Sequence, residues 1–99
     1  MKERRVVFAP EAADDMNELY DWVAAQASHQ VAMGYIERVE AFCLGLSLGS
    51  ERGQVRSDVR PGLRITGFER RLTVAFTVEE ETVTVLRVFT AGRNWETSF

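Results

Sequence analysis

The sequence predicts an α+β domain of two layers, a helical hairpin packed on an antiparallel sheet, in the element order β-α-α-β-β-β. Three observations predict it. Apolar residues recur at helical spacing from Ala12 to about Leu48, interrupted once at Ser28. From Leu63 to Phe89 the period changes to that of strands, with short charged connections. A β-branched and aromatic run, Arg5-Val-Val-Phe8, precedes the helices and is stopped by Ala9-Pro10.

The opening run reads as a strand. Pro10 suits the first turn of a helix, where its missing N–H is not needed, and Glu11, Asp14 and Asp15 favour the positive end of the helix dipole. Ala12, Met16, Leu19, Tyr20, Val23 and Ala27 fall on one helical face, while Asp14, Asp15, Glu18 and Asp21 lie mostly off it as solvated charges. Ser28 is placed to cap a second helix, whose stripe is Ala32, Tyr35, Ile36, Val39, Cys43 and Leu46, widened by Phe42. Gly49 and Gly53 mark its end.

Three strands follow, Leu63 to Phe68, Leu72 to Val78 and Thr82 to Phe89, joined by Glu69-Arg70-Arg71 and Glu79-Glu80-Glu81 as an antiparallel meander. In the middle strand Leu72, Val74, Phe76 and Val78 alternate with Arg71, Thr73, Ala75 and Thr77, which predicts burial of one face. The last strand carries Val83, Val85, Leu86, Val88 and Phe89 on both sides, so it is expected to be central and covered on both faces. The first strand is then expected to pair at an edge.

Ninety-nine residues, 45% hydrophobic and 27% charged, make one globular domain spanning 1–99. A single cysteine, Cys43, excludes an intramolecular disulfide and fits a reducing compartment. The N-terminus has no secretory pattern and no run approaches the ~20 apolar residues that span a bilayer, so a cytoplasmic protein is expected, without a membrane partner. The net charge of −3 argues against broad or sequence-specific nucleic-acid binding by this chain alone. That average hides an asymmetry: residues 1–51 hold nine acids and four bases, a balance of −5, and residues 52–99 hold six acids and eight bases, a balance of +2. All eight bases are Arg, a side chain whose fork suits an acidic partner; a solvated surface accounts for them equally.

Few residues offer chemistry. His29, the only histidine, stands at the helix junction as a surface residue, and Cys43 lies on the apolar stripe. One Cys and one His do not make a zinc site, and Gly45, Gly49 and Gly53 are not followed by the Lys-Ser or Lys-Thr of a phosphate loop. No metal or cofactor is expected. Glu79-Glu80-Glu81 is a hydrated turn. The arginines are the more telling group. Arg56, Arg60 and Arg64 are spaced by four, but Pro61-Gly62 prevents a common helical face, and Arg64 faces opposite to Leu63 and Ile65. Arg87 lies inside an apolar strand, where it is either paired beneath the sheet or exposed on its open face.

Several stretches, taken in order, resemble the RelE/ParE toxin superfamily of type II toxin–antitoxin systems. They are Val7-Phe8-Ala9-Pro10-Glu11-Ala12, Leu19-Tyr20-Asp21-Trp22-Val23, Pro61-Gly62-Leu63-Arg64, the strand Leu72 to Phe76, and Leu86-Arg87-Val88-Phe89 with Gly92-Arg93-Asn94. The resemblance implies a helical hairpin on a curved antiparallel sheet, and one of two activities. RelE-like members are ribonucleases that cut messenger RNA on the ribosome, with Lys and Arg on the sheet and a Tyr or His near the C-terminus. Here Arg64, Arg87 and Arg93 could hold a phosphate, but the only Lys is Lys2, the last Tyr is Tyr35, and Thr90 stands where relatives often place His. Arg is a poor proton shuttle. ParE-like members instead inhibit DNA gyrase, and with it replication, without catalytic residues of their own. The sequence fits that branch better, and no catalytic residue is expected. The runners-up are the ribosome-dependent ribonuclease and an inactive antitoxin-binding partner kept for transcriptional autoregulation.

The resemblance implies two partners, DNA gyrase and a ParD-like antitoxin forming a hetero-oligomer. Arg64, Arg87, Arg93, Asn94 and Trp95 are the target-binding candidates. Tyr20, Trp22, Tyr35, Arg64 and Arg71 are those for the antitoxin, because aromatic residues and Arg dominate interface hot spots. Ordinary helix packing accounts better for Tyr20 and Tyr35, whereas Trp22 lies off the main stripe and is the better candidate. Trp95 serves as well to pack the chain back onto the domain.

Overall fold

A computed structural model of the chain describes residues 3–90 and 93–99. Its elements are β1 (Arg5–Phe8), α1 (Pro10–Gln26), α2 (His29–Leu44) with a 3-10 turn at Gly45–Ser47, β2 (Gln54–Val55), β3 (Leu63–Phe68), β4 (Leu72–Val78), β5 (Thr82–Thr90) and a 3-10 turn at Trp95–Ser98. The predicted order holds, with one short strand added.

The helix boundaries follow from capping chemistry. Pro10 opens α1 at the first turn, and the Ser28 hydroxyl accepts the Val31 N–H at 3.1 Å, capping α2. Only Ala27 and Ser28 separate the helices, which forces an antiparallel hairpin.

The sheet has the order β1-β5-β4-β3-β2. β3, β4 and β5 form the expected antiparallel meander. β1 pairs with β5 in parallel, Arg5 opposite Thr82 through Phe8 opposite Val85, so the sheet is mixed and not wholly antiparallel. β5 is interior and β1 lies at an edge, as the apolar pattern predicts. The unexpected strand is β2, two exposed residues paired with Ile65 and Arg64. Gly53 admits it. Its φ is +81°, and a Cβ there would strike the Ile65 carbonyl.

Opposite β4 the register of β5 jumps, Ala75 pairing with Arg87 and Phe76 with Val85, so Leu86 is the extra residue of a bulge. Before it Val83 and Val85 face the helices, and beyond it Val88 does. These join Leu72, Val74 and Phe76 with Ala12, Met16, Leu19, Tyr35, Val39, Cys43 and Leu46 in the main core. The opposite face is not bare. Leu63, Ala75 and Phe89 are buried there beneath Val59, Ile65, Leu86, Trp95 and Phe99. Ala75 therefore departs from the expected one-sided burial of the middle strand, because the 95–99 segment folds back over it.

Candidate functional site

Arg87 is paired, not exposed on the open face, and its partner corrects the sequence reading. Asp15, expected to be a solvated charge, is almost buried, with 8% of its side chain exposed. Its carboxylate accepts the Arg87 Nε–H at 2.7 Å and Nη2–H at 2.9 Å, and also the backbone N–H of Val88 at 2.9 Å. β1 ends at Phe8, four residues along a nine-residue β5, because Pro10 turns the chain into α1. Asp15, a turn and a half into α1, supplies the acceptor that a longer β1 would have supplied. The hydrogen bonds to Asp15 raise the Arg87 pKa, outweighing desolvation, which lowers it. This guanidinium is a structural clip, already filled by two carboxylate oxygens.

Beside that clip runs a groove. Two adjoining clefts, of about 600 and 650 Å³, share Leu19, Trp22, Leu72 and Thr90. One continues past Asp15, Glu18 and Val88 to Arg93, and the other past Val23, Val31 and Tyr35 to Arg38 and the 69–71 turn. Trp22 stands on the rim with 62% of its surface exposed, as its place off the apolar stripe predicts. Of the antitoxin candidates, Trp22, Tyr35 and Arg71 line this groove. Tyr35 is a wall more than an anchor, since only 8% of it is exposed, and burial is the main cause of its raised pKa. Tyr20 lies elsewhere, with Phe8, Met16 and Ile36, and its hydroxyl is hydrogen-bonded to Nδ1 of His29. Arg64 is also apart, near Arg4 and Glu79, where its Nη1 donates to the Arg52 carbonyl at 3.3 Å.

The outer face of the sheet, away from the helices, carries arginines laid over rings. Arg93 lies 5.4 Å from the Phe89 centroid and Arg87 4.8 Å from it; Arg56 is 5.1 Å from Trp95, and Arg60 5.9 Å from Phe99. Phe99 meets Phe89 and Trp95 edge-on. Arg56 also binds Asp58 at 3.0 Å and Glu96 at 2.5 Å, and the hydrogen bond from Arg56 holds the Asp58 carboxyl below its usual range. Of the target-binding candidates, Trp95 and Arg93 reach this face, Arg93 also bordering the groove, with the exposed Asn94 between them in the chain; Arg87 reaches it but is occupied by Asp15, and Arg64 points from β3 to the other side. The sequence motif around Arg93 includes Gly92, which with Ala91 lies outside the described residues.

The histidine and the cysteine belong to the helices. His29 is at the helix junction against Tyr20, and Cys43 is buried in the core, its thiol pushed up to about 12 chiefly by desolvation. Among the described residues no cluster of His, Cys, Asp and Glu could hold a metal ion, and no helix is long and apolar enough to cross a membrane.

A family model described as the ParE toxin of the type II toxin–antitoxin system, parDE, matches residues 6–95. The chain belongs to the ParE toxin family. No curated protein matches it. A solved chain from the chromosomal ParDE TA system from P. aeruginosa shares the fold, with a TM-score of 0.78 at 20% identity over 90% of this chain and 97% of that one. The ParE family match runs from β1 through the aromatic residue Trp95, and so takes in the Asp15–Arg87 clip, the groove and most of the outer face.

Proposed function

We propose that this ParE-family chain inhibits DNA gyrase through binding alone, and that a ParD-like antitoxin neutralises it. The observation that carries the reading is the commitment of Arg87. A ribonuclease of this superfamily would need sheet cations free for the scissile phosphate and a neighbouring group able to move a proton. Here the central sheet guanidinium is bonded to Asp15 on two nitrogens, and the outer-face carboxylates Asp58 and Glu96 are held on Arg56. His29 and Tyr20 are engaged with each other at the helix junction. What the outer face does offer is guanidinium and aromatic surface, which suits gripping a macromolecule. Arg93, Asn94 and Trp95 are the proposed target contacts, and the groove at Trp22 the antitoxin contact.

Purified chain added to gyrase and relaxed plasmid is expected to reduce supercoiling or to raise the yield of cleaved DNA, and Arg93→Ala is expected to weaken that effect. Full supercoiling at a large excess of toxin would overturn the proposal. Codon-positioned messenger cuts in a coupled translation reaction, lost on Arg93→Ala, would point to the ribonuclease instead.

A further inference from the structure

We propose that the 69–71 turn is an anion clamp at one end of the groove, and that the groove takes a partner segment whose apolar side chains cover Trp22 while its carboxylates meet Arg70 and Arg71. The inference deepens the antitoxin reading and rests on it for the identity of the partner.

The turn is built against local preference. Glu69 and Arg70 have φ of 52° and 58°, the left-handed region that hairpin turns usually fill with Asn and Gly. The Arg71 N–H closes the turn on the Phe68 carbonyl at 3.0 Å. Arg38 of α2 then holds Glu69 by two bonds, at 3.1 and 3.2 Å, and itself lies 5.2 Å from the Tyr35 centroid. An unfavourable turn is thus braced from the helical wall of the groove. What the brace holds out is a pair of cations. Arg70 and Arg71 are exposed, both line the groove, and among the described residues neither has a carboxylate within ion-pair distance.

The one carboxylate near them, Glu69, is hydrogen-bonded by Arg38 and attracts Arg71 only at longer range, so the two neighbouring guanidiniums favour a ligand with more than one carboxylate. The adjoining surface is apolar, with Trp22 and Val31 exposed at 62% and 53% beside Leu72. The matching occupant has apolar side chains along its length and acids at one end. A second copy of this chain fits less well: the acids of α1 back a stripe already buried in its own core, and Glu80 and Glu81 of the 79–81 turn are already engaged. The occupant is therefore a different, acidic chain.

Peptides of about 16 residues, long enough for four helical turns, displayed as a random library, would be selected on the full-length chain. Winners are expected to carry Asp or Glu clustered at one end of an apolar stripe. In a Trp95→Phe background, where Trp22 is the only tryptophan, their binding should shift its emission to the blue. Arg70→Gln with Arg71→Gln should weaken them about tenfold or more at low salt, and selection on the Arg70→Glu, Arg71→Glu chain should return Lys and Arg in place of acids. Winners with no excess of acid, winners that leave Trp22 emission unchanged, or occupation of the groove only by self-association would each overturn the proposal. The selection uses the chain without gyrase, so its failure and a failed supercoiling assay are separate results.

Discussion

A single carboxylate, that of Asp15, joins a helix to both the side chain and the backbone of a strand. Removing it leaves Arg87, only 21% exposed, without its counter-charge and the Val88 N–H without an acceptor. Asp15→Ala is therefore expected to cost about 2–4 kcal/mol of stability. Asp15→Asn should cost less, because the amide oxygen can still accept from Val88. Urea unfolding of the two variants checks the order, and equal losses would mean that the backbone bond contributes little. Half of this was legible in the sequence. An arginine inside an apolar strand requires a partner, but nothing along the chain marks which acid provides it. In the sequence Asp15 is one of several α1 acids off the apolar stripe, and the pairing spans 72 positions. The bulge at Leu86, which alters the facing of β5 beside Arg87, leaves no periodic trace.

Among the elements, the β3–β4 turn sets stability against binding. Arg70→Gly removes a side chain from a left-handed backbone position, and the gain is expected to be about 1 kcal/mol, or roughly 4–8 °C in melting temperature for a domain of this size. The same variant should lose part of its affinity for acidic peptides. A pH dependence belongs to the same turn. The hydrogen bond from Arg38 holds the Glu69 carboxyl below its ordinary value of 4.5. A lowered folded value means the bridge adds stability above that ordinary value and loses it as the pH falls through the folded one. The native chain should be the more stable beside Glu69→Gln at neutral pH, and the two should converge as the pH falls below the lowered value of Glu69. Because both partners are exposed, added salt should narrow the gap as well. A gap unchanged by acid would show that Arg38 does not brace the turn. Element types were readable because helical and strand periods are unmistakable over long runs. β2 was not, since two exposed residues carry no period, and the parallel direction of β1 depends on a contact between the two ends of the sequence.

For the molecule as a whole, the second cluster decides which side of the sheet meets solvent. Trp95 and Phe99 cover Phe89, which is only 1% exposed, so the 95–99 segment is part of the folded body and not an appendage. Trp95→Ala with Phe99→Ala is expected to cost about 2–4 kcal/mol, from the apolar area returned to water, and to increase binding of a hydrophobic dye. Unchanged melting would mean that the segment is not held there in solution. The sequence showed a chain with an acidic first half and an arginine-rich second half. It did not show that those arginines divide between the groove, which Arg70 and Arg71 line, and the outer face, where Arg56 and Arg60 lie over Trp95 and Phe99, with Arg93 at the border of both, because they differ in facing and not in composition.

The carboxylate of Asp15 has one more consequence, for solubility. β5 outruns β1, so part of its border would otherwise offer bare peptide groups to any extended chain that came near. By taking up the Val88 N–H, Asp15 closes that border with a charged group belonging to a helix. A chain without it would be open to strand addition by its own copies. Light scattering during heating should therefore separate Asp15→Ala from an equally destabilised core variant: the core variant melts, and Asp15→Ala melts and precipitates.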